Sequence, residues 1–211
     1  MIQKIEDSLI PKGKVDLVGV GRLGLRTSIN LIQVHRGGPK TINVFDNQKI
    51  SKSDLIFLMY GGNVGEYKTD FIKRLSTHEK SYRNVESYNV NINEENLDLI
   101  NGNVVVLELA GGDTISTAAK IIKHAHKNGA KTIGTGGIFG IGEEEIITKD
   151  ISEFDDSNIV VNLLREEGIK KNHKIITTNK FITSGVPITP YVLDNVANII
   201  TKETLKELIN I

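Results

Sequence analysis

Short apolar runs recur along the chain at 15–19, 41–46, 104–109 and 131–135, with a weaker strand signal at 83–90. Between them, 22–34, 65–75 and 114–128 carry apolar residues at helical spacing, the last closed by Gly129. Runs without polar alternation read as strands buried on both faces. Their alternation with helices predicts a parallel sheet covered on both sides. The rhythm changes after GTGGIFGIGEEE, residues 134–145: a polar segment, a helix near 158–168, a strand-like KIITT and a last amphipathic helix from Pro190 follow. The pattern predicts a doubly wound, mostly parallel α/β domain over 1–145 and a small C-terminal α/β lobe over 146–211.

The first strand-to-helix junction reads VDLVGVGRLGLRT, residues 15–27, and places Gly19, Gly21 and Gly24 in G-x-G-x-x-G spacing. Glycines there permit a tight turn and close approach of backbone to a phosphate, and the helix N-terminus favours an anion. Asp46 ends the second strand about 20 residues further on, where a carboxylate accepts hydrogen bonds from ribose hydroxyls and repels a 2′-phosphate. This is a Rossmann-like nucleotide site, and ATP and NAD fit it equally.

Composition narrows the chemistry. Among 211 residues, 26 Lys plus Arg balance 26 Asp plus Glu, so no charge excess points to nucleic acid. The first residues, MIQKIEDSLIPKG, lack the apolar core of a signal peptide, and no run of about eighteen apolar residues occurs. A soluble, cytoplasmic protein without a membrane partner is expected. Cysteine is absent, which excludes disulfides, thiolate zinc sites and thioester or persulfide intermediates on this chain.

Three stretches then act together: GVGRLG at 19–24, DNQKISKSDL at 46–55 and VGEYK at 64–68. They resemble the ThiF/MoeB-type adenylylating superfamily, whose pattern is a glycine loop, a strand-terminal Asp, an S-N-L loop and G-x-x-K, over about 15–140 here. The resemblance implies ATP with Mg2+, Asp46 on the ribose and Lys68 on the phosphates. It implies attack of a substrate carboxylate on the α-phosphate, giving an acyl adenylate and pyrophosphate. The residues give softer support for Lys68: a lysine one turn into a helix that starts at the strand carboxyl ends can set a point charge on a triphosphate, or it can be a solvated helix lysine.

The chain also departs from that pattern. Ser53-Asp54-Leu55 is followed by Ile56, Phe57 and Leu58, so the loop arginine of the family has no counterpart; Arg22, Arg26 and Arg36 are the substitutes, Arg22 foremost as a catalytic residue. After the fourth strand the family's acidic motif is replaced by ELAGGD, 108–113. Asp113 is the preferred metal-binding carboxylate, because Glu108 falls within the strand; Asp113 would otherwise cap the next helix.

Arg22 with HRGGP at 35–39, LAGGDTIS at 109–116 and the short C-terminal lobe resemble the branch serving biosynthesis of the iron-guanylylpyridinol cofactor of mono-iron hydrogenase in methanogenic archaea. That branch implies adenylylation of the guanylylpyridinol carboxylate, a homodimer, and a separate protein that forms the thioester downstream. Thr135, Gly136 and Gly137, after the fifth strand, are expected to line the substrate pocket. Residues 184–191 form either a further wall of it or a packing turn, with Thr189 as cap and Pro190 in the first helical turn. His124 and His126 read as surface residues, and Glu143 to Glu145 as a solvated turn. Two alternatives stand: an NAD-dependent dehydrogenase or sensor, which leaves VGEYK unexplained, and a catalytically silent nucleotide-binding dimer module, which the missing loop arginine favours.

Overall fold

In the computed structural model, residues 10–77 and 83–210 are described; residues 1–9 of the stretch weighed as a leader lie outside them. Seven strands form one sheet: β1 (Lys14–Val18), β2 (Thr41–Phe45), β3 (Asn84–Tyr88), β4 (Val104–Leu107), β5 (Lys131–Thr135), β6 (Ile147–Asp150) and β7 (His173–Thr177). Their spatial order is β3-β2-β1-β4-β5-β7-β6, all parallel except β6, which pairs antiparallel at one edge. The helices are α1 (Arg22–Ile32), α2 (Leu55–Met59), α3 (Lys68–Ser76), α4 (Ile115–Lys127), α5 (Ile159–Glu166) and α6 (Pro190–Ile209).

Strand side chains alternate between two cores. Val15, Leu17, Val104 and Val106 meet Leu25 and Leu31 of α1, Phe71 of α3 and Val196 of α6. Val105 and Leu107 meet Ile121 and Ile122 of α4 and Val161 of α5 on the other face. Burying each such side chain contributes about 1.5–3 kcal/mol, which is why runs lacking polar residues specify the central strands. Strand order reverses between β1, which continues to β2, and β4, which continues to β5. A ligand crevice therefore opens at the carboxyl ends of β1 and β4.

Local differences from the sequence reading have simple causes. Gly65 has φ +92°, and Tyr67 is extended as the N-cap, so α3 starts at Lys68 and not at Gly65. The loop 47–64 contains the short α2. The segment after 145 contains β6, whose ITKD sequence needs little apolar character because it pairs on one side only. Residues 146–211 add β6 and β7 to the same sheet and lay α6 against α1, where Asn30 donates to Asn198 at 3.0 Å.

Candidate active site

The glycine loop is shaped by close backbone contact. Gly19 has φ +91°, and a Cβ there would meet the Glu108 carbonyl oxygen at 2.7 Å, so only glycine lets the end of β4 lie against the loop. Gly21 is the N-cap of α1, with no side-chain cap bond and open space where a Cβ would stand. The first amides of α1 are thus free of a side-chain cap at the place where an anion is favoured.

Asp46 ties this loop to β2. Its Oδ2 accepts from the Val20 N–H at 3.0 Å and its Oδ1 from the Gln48 N–H at 2.7 Å. A carboxylate has about four acceptor positions. The two left over suit ribose hydroxyls, so the side chain orders the loop and retains capacity for a sugar.

Gln48 leads to Lys68. Its carbonyl accepts from the Lys68 N–H at 3.1 Å and its side-chain Oε1 from the Lys68 Nζ at 2.8 Å. Lys68 Nζ also lies 3.5 Å from Asp54 Oδ1 and 5.5 Å over the Phe57 ring. Only 5% of Lys68 is exposed, which removes the solvated-helix reading. Lys68 is the first residue of its helix, a correction to its placement one turn further in.

Burial pushes the Asp54 carboxyl up, but the Ser51 amide and hydroxyl and the Lys68 ammonium outweigh it and hold it below the usual carboxylate range. Arg22 approaches the same loop from α1, its Nη2 donating to the Ser53 carbonyl at 3.4 Å. Gln48, Ser51 and Asp54 are site residues that motif spacing did not single out, although all three lie inside DNQKISKSDL.

Position sorts the other arginines. Arg26 pairs with Asp194 of α6 and donates to the Arg22 carbonyl at 2.9 Å. Arg36 precedes β2, at the opposite edge of the sheet from the glycine loop.

Glu108 follows β4 with its side chain buried, and neither of its carboxyl oxygens has a hydrogen-bond partner; the hydroxyl of Thr27 in α1 is unpartnered as well. Burial pushes the Glu108 carboxyl up to about 8, which favours its neutral form at pH 7. Asp113 is exposed in a 3₁₀ turn, Gly112–Thr114, and makes no cap; Thr114 takes the N-cap position of α4. No group of three or more His, Asp or Glu placed to hold a metal ion exists among the described residues.

Thr135 ends β5, and the next two residues are held firmly. The Gly136 carbonyl accepts from Asn158 Nδ2 at 2.8 Å, and the Gly137 carbonyl from the Thr178 N–H at 3.0 Å and Thr177 Oγ1 at 2.9 Å. Asn158, fully buried, also caps α5 through Val160 and Val161. These carbonyls are spent on the protein, so the loop can offer shape more than hydrogen bonds. Thr189 caps α6, with Pro190 in its first turn.

The two helix histidines are half-buried with partners, a correction to their surface reading: His124 Nε2 lies 3.1 Å from the Ile100 carbonyl and His126 Nε2 2.9 Å from Thr132 Oγ1. Gly19, Gly21, Gly24, Asp46, Arg22 and Lys68 gather along the carboxyl ends of β1 and β2. Asp113 and 135–137 stand further along the same edge without hydrogen bonds to them.

The match to known families covers residues 5–210 and is to the ThiF family. The chain belongs to the ThiF family. An uncharacterised protein of Methanocaldococcus jannaschii is 44% identical over 207 residues, spanning 98% of this chain and 81% of that protein. The structure of HcgE from Methanothermobacter marburgensis, bound to guanylylpyridinol and ATP, has a TM-score of 0.92 at 46% identity, covering 96% of this chain and 98% of that one. Escherichia coli tRNA N6-threonylcarbamoyladenosine dehydratase, TcdA, in complex with AMP, has a TM-score of 0.79 at 15% identity over 98% of this chain and 90% of its own; that likeness is one of fold. The doubly wound sheet and the ThiF-type resemblance of the sequence therefore agree with the structure.

Proposed function

We propose that this ThiF-family chain is an ATP-dependent adenylyltransferase acting on the carboxylate of guanylylpyridinol. The observation that carries the reading is Lys68, buried beside the glycine-loop crevice and held by Gln48 and Asp54, in a chain 46% identical to a protein seen with guanylylpyridinol and ATP. The α1 N-terminus receives the phosphates, and Asp46 accepts from the ribose. Lys68 extends from Asp54 toward the triphosphate, and Arg22 adds its charge from the neighbouring turn.

A substrate carboxylate oxygen forms the new bond to the α-phosphorus while the bond to the β-phosphate oxygen breaks. Pyrophosphate leaves with its electron pair, and no proton need move. The work of the site is alignment and stabilisation of phosphate charge. Mg2+ bound with ATP would neutralise phosphate charge, and Asp113 would be the carboxylate that helps hold it. Residues 135–137 and the lobe 146–211 complete the substrate pocket, and the lobe supplies the interface of a homodimer. With no cysteine on the chain, the acyl adenylate passes to another protein for thioester formation.

Incubation with guanylylpyridinol, ATP and Mg2+ followed by mass spectrometry tests this. The expected products are an adenylylated carboxylate and pyrophosphate with an unmodified protein. A covalent substrate adduct on the chain, or NADPH binding as tightly as ATP, would overturn it.

A further inference from the structure

The chain after Asp46 runs back along the segment that leads into α3. Lys49 and Tyr67 pair antiparallel, and on either side of them the main chain is tied: the Ile50 N–H donates to the Glu66 carbonyl and the Gly65 N–H to the Ile50 carbonyl, each at 2.8 Å, and the Lys68 N–H donates to the Gln48 carbonyl at 3.1 Å. The Lys49 ammonium, 4.7 Å over the Tyr67 ring, adds to this clasp. Backbone contacts alone therefore set residue 48 opposite Lys68, whatever side chain it carries.

Gln48 touches both ends of the nucleotide site. Its N–H donates to Asp46 Oδ1 at 2.7 Å, and its side-chain Oε1 accepts from Lys68 Nζ at 2.8 Å. One residue thus joins the carboxylate assigned to the ribose with the lysine assigned to the phosphates. Gln48 is exposed whereas Lys68 is buried, so an amide free to face water is spent on a buried charge. It also stands closer to the ammonium than the Asp54 carboxylate does at 3.5 Å. A neutral acceptor orients an ammonium without cancelling its charge, as a second carboxylate at that place would.

We propose that Gln48 is a positioning residue of this site: its amide aims the Lys68 ammonium at the phosphates of a nucleotide whose ribose Asp46 holds. The identity of that nucleotide as ATP rests on the adenylyltransferase reading. Gln48 acts on the phosphates through Lys68. Its contact with Asp46 is made by the backbone and its contact with Lys68 by the side chain, so a change of side chain releases the ammonium and leaves the ribose seat in place.

Calorimetric titration with a non-hydrolysable ATP analogue and with adenosine tests this on wild type, Gln48→Ala, Gln48→Glu, Lys68→Ala and the double variant Gln48→Ala with Lys68→Ala. Gln48→Ala should weaken the analogue about tenfold, the scale of one hydrogen bond to a charged group, and leave adenosine binding unchanged. In the Lys68→Ala background it should cost nothing further. Gln48→Glu keeps the shape but pairs the ammonium with a second carboxylate, so it should weaken the analogue more than Gln48→Ala does. A merely structural role predicts the reverse in each case: an equal loss for adenosine, a further loss in the Lys68→Ala background, or wild-type affinity in Gln48→Glu would overturn the proposal, as would wild-type affinity in Gln48→Ala. If the expected pattern appears and the wild type forms no acyl adenylate from guanylylpyridinol, the adenylyltransferase reading falls and the role of Gln48 stands. If the wild type adenylylates and the pattern is missing, only the role of Gln48 falls, and failure of the wild type to bind the analogue would overturn both.

Discussion

The two edges of the sheet hold buried polar groups of opposite character. At the amino edge several such groups are closed. Asp16 accepts from Asn43 Nδ2, the Asn101 N–H and the Gly102 N–H, each at 2.7 Å. His173 sits 2.9 Å from Thr132 Oγ1, and burial drives its pKa down to about 3, so it stays neutral. Arg83 donates to the Val34 and Gly37 carbonyls, which makes HRGGP a clamped turn at the end of α1. Lys174 bridges Glu203 and Glu207 at 2.7 and 3.2 Å. At the carboxyl edge the sets are incomplete: an uncapped helix start, an Asp46 with acceptor capacity left, and a lysine charge poised beside a crevice. Burial of a polar group is common to both edges, and what marks the functional one is the uncapped helix start and spare acceptor capacity beside a crevice.

The comparison predicts that changes at one edge cost activity and at the other cost stability. Lys68→Ala should lower turnover by about 10²–10³, on the order of 2.7–4 kcal/mol for loss of one preorganised charge, with a smaller effect on ATP affinity; steady-state pyrophosphate release measures it. Asp16→Ala should lower unfolding free energy by about 3 kcal/mol, because two buried donors and a part-buried one lose their acceptor, and leave ATP affinity unchanged. Denaturant unfolding and calorimetry separate the two effects, and weakened ATP binding would break the division between edges.

Asp46→Ala should weaken ATP by about ten- to a hundredfold, with turnover at saturation less affected, since the ribose does not change during the reaction. The smallest effect concerns Glu203. Burial pushes its carboxyl up, but Lys174 and Lys206 prevail and hold it at about 2, below the ordinary 4.5. A lowered carboxylate pKa stabilises the fold above 4.5, and that contribution is lost as pH falls toward 2. Thermal midpoints of wild type and Glu203→Gln should therefore converge between pH 5 and pH 2.5, by about 2–4 °C per kcal/mol.

Much of this was legible in the chain because the central strands and the glycine loop obey local rules. Val104 to Leu107 needs both faces buried, and Gly19 and Gly24 need the absence of a Cβ, so composition alone marks them. Lys68 was found through G-x-x-K spacing, yet its burial depends on Gln48 and Asp54 folding back over it, and no periodicity carries that information. β6 escaped for a related reason: an edge strand with one partner can be built from polar residues. Glu108 and the histidines show the limit most clearly, since burial by elements distant in sequence sets the chemistry of the first, and Ile100 and Thr132 hold the others.

The most direct test is isotope exchange between labelled pyrophosphate and ATP, measured with and without guanylylpyridinol. Label should enter ATP only when the carboxylate substrate is present, and Lys68→Ala should reduce the rate by about 10²–10³. Absence of exchange with the wild-type protein, or an exchange rate that Lys68→Ala leaves unchanged, would contradict the account.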